Sequence, residues 1–294
     1  MERDLVGYGM NPPKVEWPNK ARIAVSIVVN YEEGSEYSPL DGDSHHDTNS
    51  EVPSPVPPGQ RDMANESMFE YGARAGVWRI MRILNKHDVR ATFYCCGQAL
   101  ERNPGVGMEI AARGHEAMGH GYRWIDYWGM DKESERREIA RAVESIQRMT
   151  GQRPLGWYTR YGWGPNTRDL LVEEGGFEYD CMSYNDDLPY YTGVNGKKWL
   201  VLPYSLEVND TRFWRGGIFS NEAYFDCMKD AFDLLYAEGE THPKMLSIGL
   251  HCRIVGRPSR AGVLDRFLSY AVSRPNVWFA RRIDIARWWR EKYP

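Results

Sequence analysis

A run of mostly β-branched residues, Ile23 to Val29, leads into Asn30-Tyr31-Glu32-Glu33-Gly34, so a buried strand delivers two adjacent carboxylates to its C-terminal end. Neighbouring side chains on a strand point to opposite faces. Glu32 and Glu33 can therefore enter one pocket only if the backbone turns, which Gly34 permits. His120 closes a second short run after Gly114-His115-Glu116, and Trp124 stands four residues beyond it. An indole nitrogen is a donor only, so Trp124 can wall a pocket but cannot hold a metal. The glycine-punctuated stretch Trp157 to Asn166 carries Tyr158 and Arg160, a pairing of aromatic faces and one cation that suits a flat, polar-edged ligand. A fourth run, Ser247 to Arg253, brings His251 to a strand end, where an imidazole can transfer a proton. The turn Tyr184-Asn185-Asp186-Asp187-Leu188-Pro189-Tyr190 adds an amide and two carboxylates, and it also reads as a plain turn. His87 and His115 are taken as structural.

Carboxylates and imidazoles at successive strand ends require a scaffold of parallel strands. The strand at Ile23 to Val29 is followed by a helical stretch at Gly72 to His87, with Val77, Ile80, Met81 and Leu84 on one face, and by a strand at Ala91 to Cys96. The alternation continues with a helix at Lys132 to Thr150, a helix that Asn166 can cap, and a strand at Trp199 to Ser205. It ends with helix Asn221 to Glu238, strand Met245 to His251, helix Ser259 to Ser273, strand Val277 to Ala280 and helix Ile283 to Lys292. Such a series predicts parallel strands wrapped by helices, most simply a barrel with its chemistry in the loops at the strand C-termini. Residues 35–66, rich in Pro, Ser, Asp and Gly, break the rhythm. They are expected as a long surface loop, either a disordered insertion or a lid or subunit-contact loop beside the pocket.

With 294 residues, 42% hydrophobic and 27% charged, the chain can bury a sizeable core. A net charge of -4 gives no basic field to hold a phosphate backbone, so nucleic acid is not expected as a partner. The opening Met1-Glu2-Arg3-Asp4 lacks a cationic start followed by an apolar run, and no segment strings together eighteen apolar residues. A cytoplasmic protein with no membrane partner is expected. The five cysteines (Cys95, Cys96, Cys181, Cys227, Cys252) are scattered without a C-x-x-C spacing, which argues against a disulfide framework or a zinc knuckle.

Together these positions resemble the polysaccharide deacetylase (NodB-homology) superfamily, and more closely its metal-independent allantoinase and cyclic imide hydrolase branch, from about Asp4 to Lys292. Asn-Tyr-Glu-Glu-Gly, His-Gly-Tyr-Arg-Trp-Ile-Asp-Tyr, Gly-Pro-Asn-Thr-Arg, Asp-Asp-Leu-Pro-Tyr and Gly-Leu-His-Cys-Arg all stand here as in that branch. The superfamily's Asp-Asp motif becomes Glu32-Glu33. Its His-Ser/Thr-x-x-His metal pair becomes His120 with Trp124. Its Arg-Pro-Pro-Tyr-Gly motif becomes Tyr158-Thr159-Arg160-Tyr161-Gly162, and its Leu-x-x-His motif falls on Ile248 to His251, whose histidine is the proposed general acid. The resemblance implies one catalytic domain over residues 1–294, a distorted (β/α) barrel of about seven parallel strands, no metal, a homo-oligomer of the tetramer kind, and hydrolysis of a cyclic amide C–N bond. One departure is an insertion of about one residue before Gly164-Pro165-Asn166, which displaces an arginine and keeps both allantoin and cyclic imides open as substrates.

Water attack on an unactivated acetamide expels a very basic amine, so a Lewis acid is a large help there. In a hydantoin or cyclic imide the departing nitrogen keeps an acyl group and leaves more easily. Glu32 is expected as general base and His251 as the acid that protonates the ring nitrogen. Glu33, His120 and Arg160 are expected to position substrate, Tyr158 and Trp124 to wall it, and Asn185, Asp186 and Asp187 to orient His251 or accept ring N–H groups. A second enzyme reading keeps zinc on Glu33 and His120, with Asp126 or a carboxylate of the 185–187 turn as third ligand and an N-acetyl sugar as substrate. A third is a non-catalytic binder on a retired enzyme scaffold.

Overall fold

The computed structural model describes residues 3–215, 217–218 and 220–294; Met1 and Glu2 of the opening quoted above lie outside them. The strands are Ile23–Tyr31 (β1), Thr92–Cys95 (β2), Glu116–Gly119 (β3), Gly156–Trp157 (β4), Tyr179–Asp180 (β5), Tyr190–Val194 (β6), Lys197–Val201 (β7), Lys244–His251 (β8) and Val277–Phe279 (β9). The α-helices are Met63–Tyr71 (α1), Val77–Lys86 (α2), Gly97–Arg102 (α3), Pro104–Ala112 (α4), Lys132–Thr150 (α5), Thr167–Glu174 (α6), Asn221–Glu238 (α7), Pro258–Val272 (α8) and Arg282–Lys292 (α9). Among the described residues the sheet order is β6-β7-β5-β4-β3-β2-β1-β8, and each pairing along it is parallel except β6 with β7.

β1 is buried at all nine positions because strands cover both edges and other elements cover both faces. β8 pairs along one edge of β1, while β9 and β2 share the other, meeting it at Ile23 to Val25 and at Val28 to Tyr31. Counting β2 and β9 as one stave leaves seven parallel staves, with β6 added as an antiparallel hairpin. The result is a curled half-barrel, the distorted (β/α) barrel expected. Arg282 at the start of α9 ties its two margins together from within. Its guanidinium donates to the carbonyls of Leu202 (2.6 Å) and Pro203 (2.7 Å), just past β7, and also to Ser247 Oγ in β8.

The structure adds helices α3 and α4 and strand β5, which were not expected, and departs from expectation in several further places. The helix expected at Gly72 to His87 begins nine residues earlier, at Met63, where Asp62 caps it by accepting the Asn65 N–H at 3.0 Å. It runs through a π turn at Gly72–Gly76, where a Cβ on Gly76 would overlap the Cys252 carbonyl oxygen. The β6–β7 hairpin was not expected, although Asn195 and Gly196, both at positive φ (50° and 74°), are the residue pair such a turn prefers. Asn166 stands at the N-cap of α6 without a capping hydrogen bond from its side chain; Thr167 Oγ1 instead accepts the Gly164 N–H at 3.0 Å. The segment 35–66 is not an outlying insertion: Ser35, Ser38, His46 and Asp47 are buried, and the Asp47 carbonyl accepts Asn65 Nδ2 at 2.6 Å. Among the described residues no helix is long and apolar enough to cross a membrane.

Candidate active site

Register places the site. Tyr31, Cys95, Gly119 and Trp157 form one row across β1 to β4, and the chain beyond each keeps the row going, with Cys96, His120 and Tyr158 donating their N–H groups to Tyr31, Cys95 and Gly119. Glu32, His120 and Tyr158 therefore emerge side by side at the C-terminal rim. On the other side of β1, Asn30 pairs with His251, so the last residue of β8 reaches the same rim. A cavity of about 540 Å³ opens there, lined among others by Glu32, His120, Trp124, Tyr158, Arg160 and His251. Thr48 and Asn49 of the 35–66 segment form part of its wall.

Glu32 is the hub. Its Oε1 lies 3.2 Å from His120 Nε2 and 3.6 Å from His251 Nε2, while its Oε2 accepts Arg253 Nη1 at 2.7 Å. His120 donates Nδ1–H to the Tyr158 carbonyl at 2.9 Å, which turns Nε2 toward Glu32, and the Tyr158 ring stacks on the imidazole. His251 donates Nδ1–H to Asp210 Oδ1 at 2.7 Å, leaving Nε2 on the cavity side. Asp210 is fully buried, and its second oxygen accepts the backbone N–H groups of His251 (2.7 Å) and Val255 (3.1 Å).

These contacts fix the charge states. Burial alone would raise the Glu32 carboxyl, but Arg253, His251 and His120 outweigh it and hold Glu32 well below the ordinary carboxylate range. Burial works against a charged His251, yet Glu32 and Asp210 overcome it and raise its affinity for a proton. Glu33 goes the other way: burial pushes it up to about 7, with Arg253 offsetting part of the effect and Glu32 adding to it.

Trp124 lies between two guanidiniums, with the Arg160 Cζ 4.0 Å and the Arg253 Cζ 5.0 Å from its ring. Arg160 is anchored on the buried Asp47 (2.6 and 3.3 Å) and on the Trp124 carbonyl (3.0 Å). Arg253 packs over Phe69 (4.3 Å) and faces both Glu32 and, at 3.6 Å, Glu33 Oε1. The position where a second histidine would complete a metal pair is thus part of a cation–aromatic stack.

That arrangement does not fit zinc. The Tyr158 carbonyl would leave His120 Nε2 free for a metal, but that nitrogen faces Glu32, whose far oxygen is paired with the Arg253 cation, a positive charge beside the place an ion would take. Asp126 is bound to Tyr37 and faces Arg160 at 3.5 Å. Among the described residues no three His, Cys, Asp or Glu side chains form a group that could hold a metal ion, and Glu33, the partner of His120 in the zinc reading, is turned to the Glu32 N–H and Gly72.

The expected residues divide. Glu32, His120, Trp124, Tyr158, Arg160 and His251 converge on the cavity. Glu33 does not line it: Gly34 takes φ +86°, but the Glu33 carboxylate folds back, accepts the Glu32 N–H at 3.0 Å and packs against Gly72, where a Cβ would collide with it. Asn185, Asp186 and Asp187 do not line it either. Asn185 accepts the Tyr190 hydroxyl at 3.1 Å, Asp186 accepts the Leu188 N–H at 3.0 Å, and Asn185 and Asp187 are exposed, so the segment is the plain turn. Orienting His251 falls to Asp210, which no motif marked. Arg253 was not expected in the site either, although its signal is in the sequence, two residues past His251 in Gly-Leu-His-Cys-Arg. His115 is structural as expected, accepting the Ala91 N–H at 3.0 Å.

Comparison with known proteins places these features. A polysaccharide deacetylase family model matches residues 62–179. A putative polysaccharide deacetylase of Schizosaccharomyces pombe is 39% identical, over 99% of this chain and 98% of that one. Two solved structures superpose with a TM-score of 0.95: the PuuE allantoinase at 51% identity, covering 100% of this chain and 99% of that one, and a probable polysaccharide deacetylase from Pseudomonas aeruginosa at 50% with the same coverage. Fold, sequence and the strand-end site agree that the chain belongs to the polysaccharide deacetylase family of hydrolases.

Proposed function

We propose that this protein opens the ring of a cyclic amide by hydrolysis without a metal, with allantoin, named by the 51% identical relative, as first candidate and cyclic imides as second. The observation that carries the reading is Glu32 tied to Arg253, with Trp124 stacked where a ligand would stand. A water held at Glu32 Oε1 attacks the ring carbonyl, and Glu32 takes its proton. His251, protonated at Nε2 and braced by Asp210, passes that proton to the departing ring nitrogen. The products are a carboxylate and an amide or ureide. His120, stacked on Tyr158 and bonded to Glu32, keeps the base aimed; Trp124 and Arg160 form the wall against which a flat ring rests.

Turnover of allantoin, succinimide, dihydrouracil and an N-acetylglucosamine oligomer, measured in the presence of a chelator, tests the proposal. Hydrolysis of at least one ring, unchanged by chelation, is the expected result. Activity on the oligomer alone, lost in chelator and regained with zinc, would overturn it.

A further inference from the structure

Tyr204, three residues past β7, is buried and lines the same cavity as Glu32 and His251. Its hydrogen bonding is fixed from below. Asn209 Oδ1 accepts both the Thr211 N–H (2.9 Å) and the Thr211 hydroxyl (2.7 Å), so the orientation of that carboxamide is set and its Nδ2 donates to Tyr204 Oη at 3.0 Å. The Asn30 carboxamide lies beside the same oxygen. The phenol oxygen is therefore an acceptor toward the protein, and its own proton must go elsewhere. Among the described residues no acceptor receives it. A buried donor left unpaired costs roughly 1–3 kcal/mol, a penalty a ligand oxygen removes.

The backbone makes room for this arrangement. A Cβ on Gly249 would overlap both Tyr204 Oη and Asn209 Nδ2, so the glycine of Gly249-Leu250-His251 leaves the space that the pair fills. Gly249 and His251 stand two apart on β8 and face the same side. One short turn serves both groups: Asn209 holds the phenol, and the next residue, Asp210, holds the imidazole. Burial raises the phenol's affinity for its proton, so the hydroxyl remains a donor across the working pH range.

We infer that the Tyr204 hydroxyl is the oxyanion donor of the site, binding the oxygen of the attacked ring carbonyl while His251 serves the departing nitrogen. This rests on the ring-opening reading above. Tyr204→Phe removes the hydroxyl, both its proton and the oxygen that accepts Asn209 Nδ2, and keeps the ring. With a ring substrate that the wild type opens, the expected result is a kcat lower by about a hundredfold, with KM within about threefold and the pH profile unshifted, as for deletion of one oxyanion donor elsewhere. Replacement of Tyr204 by 3-fluorotyrosine, which retains the hydroxyl, is expected to restore kcat to within about tenfold of the wild type, a rescue that a packing role would not tie to the proton. A Phe variant with near-normal kcat, or a fluorotyrosine variant as slow as Phe, overturns the assignment while leaving ring opening intact. A wild type that opens none of the rings removes the ring-opening reading and this inference with it.

Discussion

Replacing Asp210 by Asn removes one negative charge and almost no volume, and the surroundings dictate how the new amide sits. Two backbone N–H groups, from His251 and Val255, converge on Asp210 Oδ2 at 2.7 and 3.1 Å, so the amide oxygen must take that place and its NH₂ must face His251 Nδ1. His251 Nδ1 then has to accept, which forces the neutral tautomer with the proton on Nε2 and penalises the imidazolium. A hydrogen bond to a charged group is worth about 1.5–3 kcal/mol, so kcat should fall roughly ten- to hundredfold. Asp210 raises the proton affinity of His251, so its loss lowers that affinity. If His251 works as an acid, the alkaline limb of the rate profile moves down by about one to two pH units, and the variant's deficit is smaller near about pH 5.5 than near about pH 8.5. The assay is kcat and kcat/KM for a ring substrate across that range, with the fold checked by circular dichroism. An equal loss at every pH, or an alkaline limb that stays in place, would refute the reasoning.

Arg253→Met leaves Glu32 and Glu33 without their shared cation; breaking a buried pair costs about 3–5 kcal/mol, so Tm should drop by about 10 °C and activity should vanish. A variant that melts like the wild type would show that the guanidinium is not needed to hold the two carboxylates. Glu33 is raised to about 7 from 4.5, so the folded state binds more protons than the unfolded between these values; its stabilising effect is complete below about 4.5 and lost as pH rises through about 7. Full ionisation costs about 3 kcal/mol; Glu36, also raised to about 7, acts in the same window. Wild-type Tm should therefore decline between about pH 5 and 8, and Glu33→Gln should decline less and melt higher at the alkaline end. Parallel curves for the two proteins count against this. Gly76→Ala drives a methyl into the Cys252 carbonyl one residue before Arg253, and should cost about 1–3 kcal/mol together with part of kcat; an equally stable, equally fast variant contradicts the close approach.

The parts of the fold legible in the sequence were those with strong period and burial. β1, β8, α5 and α7 declare themselves because a long buried strand needs continuous apolar residues and a long surface helix needs one apolar face. β4 and β5 are two residues each, too short to carry any period, and their position comes from the strands on either side. The site divides on the same grounds. Glu32, His120 and His251 were found because each follows directly from a readable strand, so register alone brings them together. Asp210 was not, because it sits in a 3-10 turn, Asp210–Phe213, that reaches His251 only through the fold. Glu33 was misplaced because adjacency in sequence says nothing of which face a side chain takes once the chain turns at Gly34.

The electrostatics of Glu32 bear on what can be hydrolysed here. A carboxylate held well below its ordinary range by Arg253, His251 and His120 is always ionised at neutral pH and is, for the same reason, a weak base. As the base of the proposed reaction it would aim a water and receive a proton late, after much of the new C–O bond has formed. Such a base serves a carbonyl whose leaving nitrogen is already stabilised, and serves poorly a simple acetamide, which needs either a stronger nucleophile or a Lewis acid on its oxygen. The acid side leans the other way: Glu32 and Asp210 make His251 hold its proton more tightly than a free imidazole, and on the proposed reading it delivers that proton when the ring nitrogen departs. A weak base paired with a well-supplied acid suits a substrate whose carbonyl is already activated toward water and whose nitrogen leaves readily once it is protonated. On the proposed reading Arg253 keeps the carboxylate ionised and in place, and the activated ring lessens the need for a Lewis acid on its oxygen.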